Sequence, residues 1–329
     1  MSTKPNIAFV TGGYSGEAAI SYKSAVNIEK NLDPARYNVY KIDITPNGWF
    51  YINSGHKQLV DRSNFTVQEN GQTVNFDAVF IGIHGTPGED GKLQGYFDMV
   101  GLPYTSCDAA TSALTMNKRY TVAVAAFGGI NVANSLHLFK HTPVTAVTVL
   151  AQLSLPLFVK PNNGGSSIGM SKVNAAEELP DALEKAFKED EQVLVEEFIS
   201  GREFTVGVFK SIAGIQVLPI TEIITHKEFF DYEAKYLGKS EEVTPAAIDA
   251  GMQEKIESAA KKVYELFNCR GVVRIDFIFN QAKQEPYMLE INTVPGQTDA
   301  SVIPQQVRAL GWPLQNFYSA LLDEALQRK

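Results

Sequence analysis

Residues 271–292, GVVRIDFIFNQAKQEPYMLEIN, carry the clearest structural pattern in this chain of 329 residues. Apolar and polar residues alternate over 272–279 and again over 286–292, which predicts two strands joined by a short loop. Side chains point to alternate faces of a strand, so Leu289 should lie on the face opposite to Glu290. The stretch therefore predicts a β-hairpin with one apolar and one polar face.

The polar face of this hairpin carries chemically useful side chains. Arg274 and Asp276 share one face of the first strand, and Glu290 and Asn292 share one face of the second. If the hairpin closes symmetrically around Lys283, Asp276 lies opposite Glu290. The same pairing places Arg274 opposite Asn292. Two carboxylates, an amide oxygen and a guanidinium would then meet on one patch.

Two carboxylates that face each other predict a neutralising cation, because like charges directly opposite are unfavourable. Mg²⁺ prefers oxygen ligands and binds through one or two carboxylates together with nucleotide phosphates. The alternative is a solvated face on which Arg274 pairs with Asp276 or Glu290. The next residues, NTVPGQTDAS, combine a Pro-Gly turn with Ser301 as a candidate helix N-cap, a pattern typical of anion binding. This neighbour favours the metal site.

Strand-like and helix-like patterns alternate along the rest of the chain, without repeats. Further strands are predicted over 7–10, 37–44, 78–84, 155–160, 192–198, 203–210 and 216–224. Helices are predicted up to about residue 31, around 109–127 and 144–153, up to about residue 190, over an apolar stripe within 256–267, and at the end of the chain. The fold class is therefore α/β, with a doubly wound domain that ends near residue 105.

Composition limits the classes of function. The chain has 29 Lys and Arg against 37 Asp and Glu, a net charge of −8 that disfavours a nucleic-acid partner. Its two cysteines, Cys107 and Cys269, have no metal-ligand spacing, so neither a zinc site nor a disulfide framework is expected. The N-terminal apolar run is too short for a secretory signal, and no stretch is long enough to span a membrane. We therefore expect a cytoplasmic protein without a membrane partner.

A glycine-rich loop follows the predicted strand 155–160. Lys160 ends that strand, and the sequence continues PNNGGSSIGMSKV. Glycines let backbone N–H groups approach a phosphate, and Ser166 and Ser167 add hydroxyl donors. The loop lacks the Lys-Ser/Thr ending of a Walker A loop, and the alternative is a flexible hairpin loop. With a lysine beside it, the loop predicts a phosphate site.

The first strand is followed by TGGYSGE, which opens the first helix and is similar to a dinucleotide-binding fingerprint. Asp43 stands where a ribose-binding acid would be expected. The glycine spacing differs, however, and Glu17 places a carboxylate where a pyrophosphate would have to bind. A carboxylate at this helix start suits an ammonium group instead. Dinucleotide binding is therefore disfavoured.

In this order, the motifs resemble those of the D-alanine–D-alanine ligases of the ATP-grasp superfamily, nearly from end to end. The resemblance rests on GGYSGEAAIS, IHGTPGEDGKLQGYFDMVGLPYT, SALTMNK, KPNNGGSSIGMSKV, EEFISGREFTV, FFDYEAKY, RIDF, EINTVPGQT and SVIP. It implies a three-domain ATP-grasp architecture, with a Rossmann-like domain over 1–105, a central subdomain over 106–198 and a C-terminal subdomain over 199–329. It also implies that ATP and two Mg²⁺ ions, with Mn²⁺ as an alternative, serve to join two D-alanines through an acyl phosphate for peptidoglycan synthesis. A homodimer is implied as well.

The resemblance further implies roles for individual residues. For the nucleotide, these are phosphate contacts from Lys118, Lys160 and Lys235, and base and ribose contacts from Glu196, Glu197, Ile199 and Glu203. For the metal, they are Asp276, Glu290 and Asn292. For the amino acids, they are Glu17, Ser166 and Tyr236 at the first substrate, Arg274 at the tetrahedral intermediate, and Ser301 with Gly296 at the second carboxylate. His84 is either a hydrogen-bonded structural residue or a substrate contact.

The chain departs from the family pattern at a few positions, none of which is an assigned ligand. Ala19 stands where a second acid is usual, Gln297 where methionine is, Val302 where leucine is, and Asn163-Gly164 where a more charged pair is expected. Tyr236 favours an amine nucleophile over D-lactate. Three rival functions stay open: another ATP-grasp amino-acid ligase, a dinucleotide-dependent oxidoreductase, and a non-catalytic nucleotide-binding regulator.

Overall fold

The computed structural model describes residues 4–142, 144–165, 168–225 and 240–328. Ser166, Ser167, Lys235 and Tyr236 lie outside these residues, as does the segment FFDYEAKY. Within the described ranges, no helix is both long enough and apolar enough to cross a membrane.

The first part of the chain forms a five-stranded sheet in the order β4-β3-β2-β1-β7, with a separate β5-β6 hairpin. Its elements are β1 (Asn6–Gly12), α1 (Ala18–Asn31), β2 (Asn38–Thr45), β3 (Gly48–Asn53), β4 (His56–Leu59), β5 (Val67–Glu69), β6 (Gln72–Val74), β7 (Ala78–Ile81) and α2 (Lys92–Met99). Strand β1 pairs in parallel with both β2 and β7 and is almost completely buried, which explains its apolar sequence. The predicted strand over 78–84 is shorter than expected, since β7 ends at Ile81.

The middle part forms a four-stranded antiparallel sheet in the order β10-β9-β11-β8. Its elements are α3 (Ala109–Met116), α4 (Lys118–Phe127), β8 (Ser135–Phe139), α5 (Ala146–Leu150), β9 (Leu157–Pro161), β10 (Ser171–Val173), α6 (Leu179–Glu189) and β11 (Gln192–Glu197). The helical region predicted around 109–127 is two helices, because Asn117 is extended and its side chain caps α4 by accepting from the N–H of Tyr120.

The last part forms a six-stranded sheet in the order β15-β14-β12-β16-β17, with β13 paired to β12. Its elements are β12 (Arg202–Ser211), β13 (Gly214–Val217), β14 (Thr221–Thr225), β15 (Ser240–Val243), α7 (Ala250–Leu266), β16 (Val272–Asn280), β17 (Glu285–Asn292), α8 (Val302–Ala309) and α9 (Leu314–Leu326). The prediction of one strand over 216–224 is wrong. Two strands occur there, separated by a segment containing Pro219, which has no N–H for a ladder.

Helix packing brings the ends of the chain together. The apolar stripe on α7 is core as predicted, with Ile256 and Val263 fully buried in the cluster beneath β12 and β16. Helices α8 and α9 share a second cluster with β1 and α1, in which Ile28 and Phe317 are completely buried. The C-terminal helices therefore pack against the first sheet and hold the β16-β17 hairpin near α1. The domain boundaries at 105 and 198 stay a prediction.

The register of the β16-β17 hairpin is the one predicted for its polar face. Arg274 pairs with Asn292, and Asp276 pairs with Glu290. Both strands bury alternate residues against the core, so these four side chains lie on the opposite, partly exposed side.

The turn of this hairpin differs from the prediction. Its last pair is Asn280 with Glu285, so the hairpin does not close symmetrically around Lys283. The register shifts after Asp276, which makes Leu289 an extra residue in β17. The expectation that Leu289 lies on the face opposite to Glu290 is wrong, because both residues line the same cavity.

Candidate active site

Two adjoining cavities lie beside the polar face of the hairpin. The larger cavity has a volume of about 570 Å³ and the smaller cavity a volume of about 520 Å³. Asp276, Glu290, Lys118 and Glu203 line both of them. Ligands bound in the two cavities would therefore meet at the paired carboxylates.

The larger cavity contains every residue predicted for the nucleotide that falls within the described residues. They are Lys118, Lys160, Glu196, Glu197, Ile199 and Glu203. Strands β9 and β11 are neighbours, so Lys160 and Glu196 form an ion pair on the cavity wall, with side chains 14% and 10% exposed. The Glu197 carboxylate accepts hydrogen bonds from Asn134 and from the backbone of Ser154, both at 2.8 Å. That carboxylate therefore fixes the cavity rim.

The start of α4 is held by a residue that the sequence did not reveal. The N–H of Lys118 donates to the Asn162 carbonyl at 3.1 Å, and the N–H of Arg119 donates to Asn162 Oδ1 at 2.8 Å. With these donors occupied, α4 presents the Lys118 ammonium, which donates to the Gly164 carbonyl of the glycine-rich loop at 2.6 Å. Asn162 is fully buried. Its position directly after the Lys160-Pro161 strand end was the available signal.

Asp276 sits in a charged network at the boundary between the cavities. Arg274 donates to both of its oxygens, from Nε at 3.0 Å and from Nη2 at 2.8 Å, and the Thr205 hydroxyl donates at 2.5 Å. Arg274 also lies 3.8 Å from Glu290, so it does pair with the carboxylates. Burial lowers the pKa of Arg274, but the negative charges of Asp276 and Glu290 raise it by more, so the pKa lies above its usual value. Like Asn162, Thr205 supports this site, through its hydrogen bond to Asp276, and was not predicted from the sequence.

The hairpin offers a set of oxygen donors suited to a hard cation. Asn292 Oδ1 is buried and has no hydrogen-bond partner among the described residues. Asp276 accepts three hydrogen bonds and therefore keeps one of its roughly four lone-pair positions. In the described ranges, no group of three or more His, Cys, Asp or Glu side chains is arranged to hold a metal. Two carboxylates and an amide oxygen nevertheless match the preference of Mg²⁺.

Glu17 lies at the start of α1, where three parts of the chain converge on the smaller cavity. A Cβ on Gly85 would collide with its carboxylate, and a Cβ on Gly165 would lie 3.1 Å from it. The left-handed backbone at Gly85 and the short distances at both positions favour glycine on both sides of this carboxylate. The arrangement places a negative charge between the 84–89 loop and the glycine-rich loop, as an ammonium site would require.

Glu89 is a further acid on this cavity, and sequence reasoning did not assign it. Its carboxylate accepts from the N–H of Gly85 at 2.6 Å and from the N–H of Val294 at 3.2 Å. Burial and the nearby Glu17 raise the pKa of Glu89 to about 8. The sequence feature that could have indicated this residue is its place in the glycine-rich stretch IHGTPGEDG, between Gly88 and Asp90. The smaller cavity thus combines two acids with Arg274.

His84 lines the smaller cavity, with both ring nitrogens bonded inside the protein. Its Nδ1 lies 2.7 Å from the carbonyl of Val294, which can only accept, so Nδ1 carries the proton. Ser24 Oγ accepts from the N–H of Gln297 at 3.1 Å and donates to His84 Nε2 at 2.9 Å. Burial lowers the pKa of His84 to about 4. The ring is therefore neutral and fastens α1 to the loop after β17; a substrate contact stays a prediction.

Ser301 and Gly296 meet on the wall of the smaller cavity. Ser301 precedes α8 but makes no capping hydrogen bond with its side chain. Its hydroxyl instead accepts from the N–H of Thr298 at 3.0 Å and lies 2.7 Å from the Thr298 hydroxyl. A Cβ on Gly296 would lie 2.9 Å from Ser301 Oγ. The Ser301 hydroxyl is thus held close to the backbone of Gly296, which carries no side chain.

Asp43, the acid that resembled a ribose ligand in the sequence, makes hydrogen bonds and an ion pair within the first sheet and its flanking helix. Asp43 accepts from the Tyr22 hydroxyl at 2.8 Å and pairs with Lys57 at 3.3 Å. A Cβ on Gly12 would lie 2.9 Å from this carboxylate, so it fills the space beside the first glycine turn. These contacts give Asp43 a structural role.

Family models match most of the chain. Residues 6–107 match the family described as the D-ala D-ala ligase N-terminus, and residues 118–323 match the D-ala D-ala ligase C-terminus. The D-alanine–D-alanine ligase of Flavobacterium johnsoniae is 45% identical, over 98% of this chain and 99% of its own length. The D-alanine–D-alanine ligase of Parabacteroides distasonis is 44% identical, over 99% of each chain.

Solved structures of ligases from the same family also superpose on this chain over nearly its whole length. The VanG D-Ala:D-Ser ligase from Enterococcus faecalis superposes with a TM-score of 0.87 at 32% identity, over 97% of this chain and 99% of that one. A D-alanine–D-alanine ligase from Bacillus anthracis complexed with ATP has a TM-score of 0.79 at 26% identity, over 98% of each. The fold is that of the ATP-grasp ligases. Within that class, the chain belongs to the D-alanine–D-alanine ligase family.

Proposed function

We propose that this protein uses ATP to join two D-alanines into D-alanyl-D-alanine for peptidoglycan synthesis. The observation that carries the proposal is the pair of adjoining cavities with Asp276 and Glu290 in their shared wall. One cavity has the lysines that a nucleotide needs, and the other has acids that suit an amino group. Membership in the family supports the same assignment.

The larger cavity is proposed to bind ATP. Lys118 and Lys160 would contact its phosphates, and Lys235 would join them from outside the described residues. Glu196, the backbone of Glu197 and Ile199, and Glu203 would contact the base and the ribose. Lys160 and Glu196 already pair on this wall, so a nucleotide would exchange some of that pairing for contacts of its own.

Asp276, Glu290 and Asn292 are proposed to hold magnesium, which we expect as two ions, with Mn²⁺ as a substitute. The bound metal would offset negative charge on the phosphoryl group during transfer. The orphaned Asn292 oxygen and the facing carboxylates support this use.

The smaller cavity is proposed to bind both amino acids. Glu17 would accept the first ammonium group, with Ser166 and Tyr236 beside it. Ser301 and the Gly296 backbone would bind the second carboxylate, because the Ser301 hydroxyl is held against that backbone. Glu89 adds a second acid near the amino groups.

The proposed chemistry has two steps. A carboxylate oxygen of the first D-alanine bonds to the γ-phosphorus of ATP as the bond to ADP breaks. The amine of the second D-alanine then bonds to the carbonyl carbon, the carbon–oxygen bond to phosphate breaks, and the amine loses a proton. Arg274 stays charged, so it can donate to the developing oxyanion from a fixed position beside Asp276.

Phosphate release from ATP in the presence of Mg²⁺ tests the proposal. We expect release with D-alanine and little release with L-alanine or no amino acid. A mixture of D-alanine and D-serine, analysed by mass spectrometry, tests whether this protein also accepts D-serine, as the name of the VanG D-Ala:D-Ser ligase indicates for that relative. A mixed dipeptide would show that it does. Release that ignores D-alanine would contradict the proposal.

We also propose that the enzyme is a cytoplasmic homodimer with no nucleic-acid or membrane partner. The family resemblance supports the dimer, and the net charge of −8 opposes nucleic-acid binding. Sedimentation of the purified chain measures the oligomeric state, and a monomer at assay concentration would contradict the dimer.

A further inference from the structure

The loop after β17 forms one wall of the smaller cavity and is fastened from behind. Gly296, Thr298 and Ser301 line the cavity. Gln297, between the first two, is turned into the protein and is only 5% exposed. Its side chain is therefore placed to hold the wall without forming part of it.

The backbone of Gln297 is tied to α1. Its N–H donates to Ser24 Oγ at 3.1 Å, and its carbonyl accepts from Asn27 Nδ2 at 2.8 Å. Helix α1 begins directly after Glu17. One helix thus supports both the proposed ammonium site of the first amino acid and the loop proposed for the second.

The side chain of Gln297 makes two bonds that require an amide. Nε2 donates to the carbonyl of Pro295 at 3.3 Å, and Oε1 accepts from the Tyr318 hydroxyl on α9 at 3.1 Å. A carbonyl can only accept, so one end of the side chain has to donate while the other accepts. Methionine, the residue expected here from the family pattern, could make neither bond well. Tyr318 is completely buried, so its hydroxyl would have no access to water.

We propose that Gln297 is a positioning residue for the second amino acid. Through Tyr318 and α1 it fixes Gly296 and Ser301 at the distance that a carboxylate needs, and this inference rests on the proposed function. The amide replaces the packing that methionine would give with directional bonds. The geometry of the second site in this chain then depends on the Gln297–Tyr318 bond.

The test compares Gln297→Met, Tyr318→Phe and the double variant by initial rates over a range of D-alanine concentrations. Such curves separate the KM of the second D-alanine from that of the first. Gln297→Met removes the partner of the Tyr318 hydroxyl and of the Pro295 carbonyl, and Tyr318→Phe removes the partner of Gln297 Oε1. We therefore expect the second KM to rise about fivefold or more in each single variant. The KM values for ATP and for the first D-alanine should change by less than about twofold.

The double variant distinguishes positioning from general damage. It removes both partners of the Gln297–Tyr318 bond, so only the Pro295 carbonyl still lacks its donor. Its second KM should therefore lie closer to wild type than that of Gln297→Met. A second KM that is unchanged in both single variants, or a double variant with the full sum of their effects, would overturn the proposal.

Tyr104→Phe is the matched control. Tyr104 is buried, its hydroxyl donates to Asp98 at 2.8 Å, and it lies outside both cavities. We expect it to lower the melting temperature without changing any KM. If wild type shows no release dependent on D-alanine, the proposed function fails and this inference fails with it. If wild type is active and the variants keep its second KM, only this inference fails.

Discussion

Asp276 lies directly opposite Glu290 across β16 and β17, and an extra residue in β17 puts it there. The turn pairs Asn280 with Glu285, so a regular ladder continued from the turn would place Leu289 opposite Asp276. The bulge at Leu289 shifts the register by one and brings the two carboxylates face to face. It also turns Leu289 toward the larger cavity, whose wall it joins.

Leu289→Ala should weaken nucleotide binding without disturbing the amino-acid site. The side chain is partly exposed on the cavity wall, so losing its apolar contacts should raise the KM for ATP by at most about tenfold. Steady-state kinetics measures this, with Leu102→Ala as a control, because Leu102 follows α2, is partly buried against the core of the first sheet and lines neither cavity. An unchanged KM for ATP would mean that Leu289 does not contact the nucleotide.

Arg274→Lys should keep the positive charge but lose the fork of hydrogen bonds to Asp276. Removing one oxyanion donor typically costs about 100- to 1,000-fold in turnover, and we expect a loss of that order. Arg36→Lys, at an exposed ion pair with Asp323, should leave kcat unchanged. Turnover near wild type in a folded Arg274→Lys protein would remove Arg274 from the mechanism.

Asn162→Ala should loosen the start of α4. Within the side chain, only Oδ1 supports the helix, by accepting from the N–H of Arg119, since Asn162 Nδ2 has no hydrogen-bond partner among the described residues. Losing an acceptor at a helix start costs about 1 to 2 kcal/mol in the free energy of unfolding. The KM for ATP should rise as well, because Lys118 begins this helix.

Thr145→Ala provides the comparison for this variant, since Thr145 caps α5 by accepting from the N–H of Thr148 at 3.2 Å. It should cost similar stability and leave the KM for ATP unchanged. Equal effects of both variants on that KM would show that Asn162 acts only through stability.

The free energy of unfolding should fall in mild acid because of His84. Burial lowers the folded-state pKa of this ring from 6.5 to about 4, so the unfolded chain takes up the proton first. The stabilisation is complete above pH 6.5 and is lost as the pH falls toward 4. The difference in pKa corresponds to about 3 kcal/mol.

Denaturant unfolding between pH 4 and pH 7 measures this component. His84→Gln should lack it, whereas His56→Gln, at an exposed position, should keep it. Parallel pH curves for wild type and His84→Gln would show that the ring does not titrate differently on folding.

The sequence allowed the polar face of the hairpin to be predicted because strand alternation fixes which residues share a face. The pairing of Asp276 with Glu290 was right although the assumed turn was wrong, since the offset in the turn and the bulge cancel. No local pattern marks Leu289 as the extra residue. Its orientation depends on the register of both strands and so could not be predicted.

The missed residues act through contacts between distant segments. Asn162 bonds to the start of α4 more than 40 positions away, and Glu89 bonds to Val294 across 205 positions. Such bonds depend on packing of the whole chain and leave no periodic signal. The position of Glu17 could be predicted because a helix start is a local feature, whereas its role at an ammonium group stays a prediction. The prediction for Tyr236 concerns a residue outside the described ranges.

Isotope transfer distinguishes the acyl-phosphate route from other routes, because it follows one oxygen atom from the D-alanine carboxylate to the phosphate released from ATP. Wild-type protein is supplied with ATP, Mg²⁺ and D-alanine labelled with ¹⁸O in its carboxylate, and the released phosphate and the dipeptide are analysed by mass spectrometry. We expect D-alanyl-D-alanine and one labelled oxygen in each phosphate. Dipeptide formed with unlabelled phosphate, or labelled substrate that yields no dipeptide, would contradict it.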